Sequence, residues 1–354
     1  MHGIKKIEKR KKEITMAPEA QKIDVLDRPV RYQQDDLFLH AKTMSLDEDI
    51  HTGKPVMHQL DVDALVERCL RLLKHSSEKD RNISRCGEFN DFNQVFIGIS
   101  GTPGSGKSHI AEAVRDRIHE INPSCDVGKD EAVVIPMDGY HIPRCGLKQM
   151  ADEGKVIASD QFDEDNPLGQ VEEHQLSYEE LLARRGAAFT YCPSQFIKDL
   201  KEAKKKGEGS FPTYSRSKHD PVENGVQITQ HNKIIFVEGL YLLCTDDPDW
   251  KELDEIWDDK WYIDVSLEET KRRLLERHLK SWNQEETKQF GGDGPEAAYK
   301  KAETNDLKNA KCIKGHSMEH ANIIISNEQV TDDIKNGPNK RRGSQILRDS
   351  SLYA

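Results

Sequence analysis

Gly101-Thr102-Pro103-Gly104-Ser105-Gly106-Lys107-Ser108 fits the pattern G-x-x-x-x-G-K-[ST]. Glycines at these places let a backbone curl until its N–H groups converge on one point, which makes a cradle for phosphate oxygens. A helix opening at Lys107 would add the positive end of its dipole. In this pattern the lysine reaches β and γ phosphates, and the Ser108 hydroxyl is placed for Mg²⁺. All eight residues, Pro103 and Ser105 included, are therefore expected at the nucleotide, with ATP and Mg²⁺ as cofactors.

A metal beside such a loop needs carboxylates from neighbouring strand ends. Val133-Val134-Ile135-Pro136-Met137 runs into Asp138-Gly139-Tyr140-His141, and Ile234-Ile235-Phe236-Val237 runs into Glu238-Gly239-Leu240-Tyr241. In each case an apolar run ends in an acid followed by glycine. Ligands bind at the carboxyl ends of parallel strands. One acid can take a proton from a substrate hydroxyl while the other holds the metal. Taken alone, either acid could simply cap a turn.

The elements that must carry these residues follow from periodicity. Gln94 to Ser100 reads as a buried strand leading into the loop, and Ser108 to Ile121 as the helix leaving it. Further strands are expected at Ala132 to Pro136, Lys233 to Val237, Trp261 to Val265 and Ala321 to Ser326. Helices are expected at Leu60 to His75, Tyr178 to Arg185, Glu268 to Trp282 and Pro295 to Cys312. Apolar strands alternating with helices predict an α/β fold, a doubly wound parallel sheet with helices on both faces. Residues 1–59 are expected to be a disordered extension, 60–328 the folded domain and 329–354 a disordered tail.

Charge narrows the partners. Lys plus Arg number 52 and Asp plus Glu 63, for a net charge of −11. Nucleic acid and anionic membrane are not expected, because their phosphates would meet an acidic surface. A small-molecule acceptor is, and a homo-oligomer is left open. Seven scattered cysteines without C-x-x-C imply reduced thiols and a cytoplasmic setting. The basic run from Lys5 to Lys12 reads as a solvated tail, with a nuclear or mitochondrial address as the alternative, and Met16 is an alternative start. Lys340-Arg341-Arg342-Gly343-Ser344 reads as a flexible tail, although its pattern also suits a phosphosite.

The phosphate loop, P-M-D-G-Y-H, R-R-G-A-A-F-T-Y, F-P-T-Y-S-R-S-K-H-D-P, E-G-L-Y-L-L and R-R-L-L-E-R-H together resemble the phosphoribulokinase/uridine kinase family of P-loop kinases, over about Val95 to Asn327. They look most like its fungal uridine- and pantothenate-kinase-like branch. The resemblance implies a P-loop NTPase fold with a helical lid, and transfer of the γ-phosphoryl group of ATP to a hydroxyl of a nucleoside such as uridine, pantothenate or a sugar-like alcohol. It makes Asp138 the base that also faces the metal, and sets Glu238 beside the metal with Ser108. Tyr140, His141, Tyr214 and His219 match acceptor-pocket positions, and Arg184 or Arg185 matches a basic residue there. Arg273 and Arg277 match lid arginines that close over ATP, with Lys107 and Arg277 joining Asp138 in catalysis. Arg suits this work because its fork contacts phosphate at two points. Gly291-Gly292-Asp293-Gly294 would let the lid move. Ala188 and Cys192 depart from the Pro and Asp often found in relatives, which bears on the acceptor pocket and not on ATP.

Other readings compete. A GTPase switch would need N-K-x-D, and Asn232-Lys233-Ile234-Ile235 lacks the Asp. A nucleotide-binding scaffold or regulatory protein with weak catalysis should have lost Lys107, Asp138 or Glu238, and all three are present, but the altered acceptor pocket at Ala188 and Cys192 keeps this reading open as the alternative. Cys312, His316 and His320 share a four-residue spacing that one helix face could turn toward a metal, although Gly315 interrupts it. Trp250, Trp257, Trp261 and Trp282 read as packing residues.

Overall fold

The computed structural model describes residues 47–48, 53–83, 92–121, 131–154, 156–158 and 173–328. The basic run, Met16, Cys86, Cys125 and the tail from residue 329 lie outside the described residues, as does most of the expected N-terminal extension.

The strands are β1 (Asp47–Glu48), β2 (Pro55–Met57), β3 (Val95–Gly101), β4 (Ala132–Pro136), β5 (Val156–Ala158), β6 (Glu173–Gln175), β7 (Gly209–Ser215), β8 (Asp220–Ile228), β9 (Ile234–Gly239), β10 (Asp259–Asp264) and β11 (Ile323–Ser326). The helices are α1 (Val62–Ile83), α2 (Lys107–Ile121), α3 (Arg144–Asp152), α4 (Tyr178–Ala183), α5 (Pro193–Lys206), α6 (Leu267–Ser281), α7 (Gln284–Phe290), α8 (Pro295–Lys301) and α9 (Leu307–Ser317). The main sheet runs β1-β2-β11-β10-β3-β9-β4. Every neighbouring pair from β2 to β4 is parallel, and only β1 is antiparallel.

The all-apolar strands have two faces to bury. On one face Ile97, Ile99, Phe236, Trp261 and Ile263 pack with Leu65 and Cys69 of α1 and with Ile110, Val114 and Ile118 of α2. On the other, Phe96, Ile235, Val237 and Tyr262 pack with Phe196 and Leu200 of α5 and with Trp250, Leu253 and Trp257. The expected double winding is the observed one. It follows from side chains that alternate across the sheet while both sets are apolar.

Two expectations change, and one element is new. Pro55–Met57 belongs to the sheet rather than to an N-terminal extension: Val56 and Met57 pair with Ile324 and Ile325 of β11. Three residues are too few for periodicity to register. The helix expected over Pro295 to Cys312 is broken by a π turn, Ala302–Asp306, between α8 and α9. The hairpin of β7 and β8, with Tyr214 opposite Pro221, was not foreseen, because its largely polar strands carry little apolar signal.

Trp250, Trp257 and Trp261 are buried, as expected of packing residues. Among the described residues Cys69, Cys145, Cys192, Cys244 and Cys312 are free thiols. No helix among them is long and apolar enough to cross a membrane.

Candidate active site

The sheet register brings the phosphate loop and the two acids together. β9 lies between β3 and β4, with Glu238 opposite Ile99 of β3 on one side and Pro136 of β4 on the other. β3 ends at Gly101, where the loop begins, and β4 ends one residue short of Met137-Asp138. The glycine after each acid has a steric reason. A Cβ on Gly239 would meet Met137 side-chain atoms at 2.5 and 2.8 Å, and one on Gly139 would lie 2.0 Å from the Pro212 carbonyl oxygen of β7. Without those Cβ atoms the ends of β4, β9 and β7 can converge.

The loop is held from inside and from outside. Lys107 Nζ donates to the carbonyl oxygens of Gly101 and Thr102 at 2.9 and 3.0 Å. The Thr102 and Thr270 hydroxyls are 3.1 Å apart. Asn327 Nδ2 donates to the Ser105 carbonyl at 2.7 Å, and Gly106 is where a Cβ would strike that amide, at 2.5 Å. Arg273 reaches the carbonyls of Gly104 and Ser105 at 3.3 and 3.4 Å, while its Nε donates to Glu269 at 2.6 Å. The Ser105 hydroxyl is buried with no hydrogen-bond partner, an atom that a phosphate oxygen would satisfy.

Charge inside the site is poorly solvated. Ser108 Oγ donates to Glu238 Oε1 at 3.1 Å. Burial pushes the Glu238 carboxyl up to about 7, against the downward pull of Lys107, and Asp138 adds to the rise. Burial likewise brings Lys107 down to about 8, opposed by Glu238 and then Asp138, with Arg277 adding to the fall. That influence sets Arg277 in the field of the loop, and its guanidinium is 4.0 Å from Asp306 of the π turn. Arg272 points elsewhere, paired with Glu269 and Glu276.

Beside Asp138 lies a layer of rings. The Tyr191 hydroxyl donates to Asp138 Oδ1 at 3.3 Å, and His141 Nδ1 is 2.8 Å from the Asp138 carbonyl oxygen. His141 has the Tyr191 ring at 4.1 Å and the Tyr214 ring at 5.0 Å. The Arg185 guanidinium lies 5.4 Å from the Tyr214 ring centroid. It donates to the carbonyls of His219 and Ile142 at 2.6 and 3.0 Å and to Asp220 Oδ1 at 3.0 Å. The first arginine of the pair, Arg184, turns toward Asn305 and the Phe189 ring, so Arg185 is the one beside the Tyr214 ring.

Two expected acceptor contacts are not made by the side chains named. Tyr140 is 5% exposed, packs on Phe196 at 4.7 Å, and donates its hydroxyl to Asp199 at 2.8 Å. It therefore anchors α5. His219 sits exposed in the β7–β8 turn in a left-handed conformation, φ 52°, and contributes its carbonyl rather than its ring. Cys312 likewise stands outside the only group of metal-capable side chains found among the described residues, Asp246, Glu319 and His320. Ala188 is partly buried against the apolar core, and Cys192 precedes α5 with its N–H donating to the Tyr140 carbonyl at 2.9 Å.

No family model matches the chain. A candidate uridine kinase of Schizosaccharomyces pombe is 28% identical over 221 residues, 62% of this chain and 74% of that protein. The ATP-dependent kinase YFH7 of Lachancea thermotolerans is 24% identical over 272 residues, 72% of each chain. Among solved structures, YFH7 of Saccharomyces cerevisiae, described as a candidate P-loop kinase with a circular permutation, superposes with a TM-score of 0.55. It is 19% identical, and the match covers 76% of this chain and all of that one. This chain is similar in sequence to fungal ATP-dependent kinases and shares the fold of a P-loop kinase.

The sequence reading named the loop, both acids and Arg273, which the structure brings together. It missed Asn327, Thr270, Tyr191 and Asp220. Asn327 had a signal, since it follows directly on the apolar run of β11 at a strand's carboxyl end. Tyr191 and Asp220 lie within segments already singled out, and only the folded backbone shows which side chains of those segments turn inward.

Proposed function

We propose that the protein transfers the γ-phosphoryl group of ATP to a hydroxyl of a small metabolite, of nucleoside, pantothenate or sugar-like type. The observation that carries this reading is the Ser108–Glu238 contact at the carboxyl end of β9, next to the buried Lys107 and one strand from Asp138.

The donors fit the expected metal. Ser108 Oγ and Glu238 Oε1 are hard oxygens, with Asp138 nearby, and Mg²⁺ keeps such ligands together with water and phosphate. When bound, Mg²⁺ supplies positive charge that neutralises phosphate oxygens. The loop amides and the Ser105 hydroxyl would bind the phosphates. The Lys107 ammonium would stabilise charge growing on the transferred group, joined by Arg277 and Arg273. Asp138 would accept the proton of the acceptor hydroxyl. Tyr191 donates to its Oδ1, which leaves Oδ2 for that proton.

Tyr214, half-exposed beside Arg185, offers a ring face to the acceptor. Arg185 is already engaged by two carbonyls and Asp220, which favours a neutral nucleoside or sugar-like acceptor over an anionic one.

The test is ADP release with ATP–Mg²⁺ and a panel of small alcohols, for the parent and Asp138→Asn. The parent should show acceptor-dependent release. The variant should lose at least about 100-fold in turnover while still binding ATP. Undiminished turnover would remove Asp138 as the base. Acceptor-independent release by the parent would indicate an ATPase, and nucleotide binding with no release at all would favour a scaffold.

A further inference from the structure

Away from the phosphate loop, three metal-capable side chains from two separate segments converge. Asp246 lies in the loop that follows β9. Glu319 and His320 lie in the single turn Met318–His320 between α9 and β11. One ligand atom from each lies within 4.8 Å of the others. His320 Nε2 is 3.2 Å from Asp246 Oδ2 and 4.0 Å from Glu319 Oε1. His316, one helical turn earlier, has Nδ1 4.0 Å from the same Asp246 oxygen.

We propose that Asp246, Glu319 and His320, joined by His316, form a second divalent-metal site suited to Zn²⁺. Four donors about 2.0–2.1 Å from a tetrahedral ion lie about 3.3 Å apart, because each edge of a tetrahedron is about 1.6 times its radius. The separations of 3.2, 4.0 and 4.0 Å are at that value or within a side-chain rotation of it, and His316, which stands outside the close group of three, would swing in as the fourth donor. Two carboxylates balance the charge of a dication, and two imidazoles select borderline metals over Mg²⁺. The donors are partly open to solvent, with side-chain exposures of 54% for Asp246, 26% for His320 and 33% for His316, so an ion can enter. The two segments carrying them are also joined through the buried Cys244 and Ser317 side chains, which meet at 3.3 Å. The ion would tie the loop after β9, the strand that carries Glu238, to the segment entering β11, the strand that leads to Asn327.

The experiment is Zn²⁺ titration of the full-length reduced protein against a chromophoric chelator, with Co²⁺ absorption as a second readout. It is run in the Glu238→Gln background, so that zinc held at the phosphate loop does not enter the count. That background should take up one equivalent that His320→Ala abolishes and that His316→Ala or Asp246→Asn weakens at least about tenfold. Zn²⁺ should raise its unfolding temperature, and His320→Ala should remove the rise. Co²⁺ should give a tetrahedral spectrum without a thiolate band. Equal zinc uptake and affinity with and without the His320→Ala and Asp246→Asn changes would overturn the site, as would a thiolate band that survives them. Circular dichroism of each variant checks that these surface changes leave the fold intact.

Discussion

Replacing Glu238 with Gln should make the ligand-free protein more stable and nearly inactive at the same time. Glu238 is buried at the end of β9, and burial is the main reason its carboxyl rises from 4.5 to about 7. Between those values the folded chain keeps a proton that the unfolded chain has released, so stability falls as pH rises through that window. The gap corresponds to about 3 kcal/mol, present in full only above the folded value. Glutamine copies the protonated acid in size and still accepts from Ser108. Parent and variant should therefore match near pH 4.5, and the variant should lead by about 2–3 kcal/mol at about pH 8. The lower end allows for Lys107, which loses a neighbouring negative charge. Urea unfolding without nucleotide or magnesium reads this directly through the fluorescence of Trp250, Trp257 and Trp261, all buried. On the proposed assignment of Glu238 to the metal, turnover should fall at least about 100-fold, because a carboxylate oxygen becomes an amide. A parent–variant difference that does not change with pH would refute the reasoning, and so would a variant less stable than the parent at about pH 8.

Two further outcomes follow from the packing. Asp259→Ala leaves the Arg68 guanidinium and the Trp261 indole N–H without the carboxylate that accepts at 2.5, 2.8 and 2.7 Å. Because the Arg68 side chain is 31% exposed and water can replace part of the loss, the cost should be about 2–3 kcal/mol in urea unfolding, and a loss below about 0.5 would contradict it. Gly139→Ala sets a Cβ against the Pro212 carbonyl oxygen, 2.0 Å away, a backbone contact that cannot rotate aside. It should destabilise by about 2 kcal/mol or more and lower turnover through Asp138 while calorimetry still detects ATP binding, since the loop stands on a different strand. Loss of ATP binding with turnover per bound nucleotide unchanged would reverse that assignment.

The parallel sheet and the phosphate loop were legible because each has a local signature. Apolar runs such as Ile234–Gly239 identify strands, and the eight residues from Gly101 carry their chemistry in sequence. The acceptor side was harder to read. Tyr140 and Tyr191 both flank the expected pocket, yet only Tyr191 faces Asp138. Tyr140 turns into the α5 layer because Phe196 and Asp199 receive its ring and its hydroxyl, and α5 itself was not anticipated. His219 shows the same limit: its place in the chain was informative, but a left-handed turn presents its carbonyl to Arg185 and leaves the ring exposed. The π turn at Ala302–Asp306 also lacked a signature, although Asp306 receives His278 at 2.7 Å and stands near Arg277.

The two shifted groups of the ligand-free site are complementary. A lysine brought down to about 8 is a cation held where water cannot solvate it well, and it favours an incoming anion. A glutamate raised to about 7 is an anion in the same condition, and it favours an incoming cation. They stand at adjacent positions, and their mutual attraction does not cancel either shift. A magnesium–polyphosphate pair brings both missing charges in one ligand, and so relieves both penalties together. Phosphate alone should then bind weakly, because it approaches Glu238 and Asp138 without a counter-charge. Magnesium alone should bind weakly too, because it meets Lys107 and Arg277. On the proposed assignment, Mg²⁺ beside Glu238 would offset the penalty that Glu238→Gln removes, and the variant should bind ATP with much less dependence on Mg²⁺.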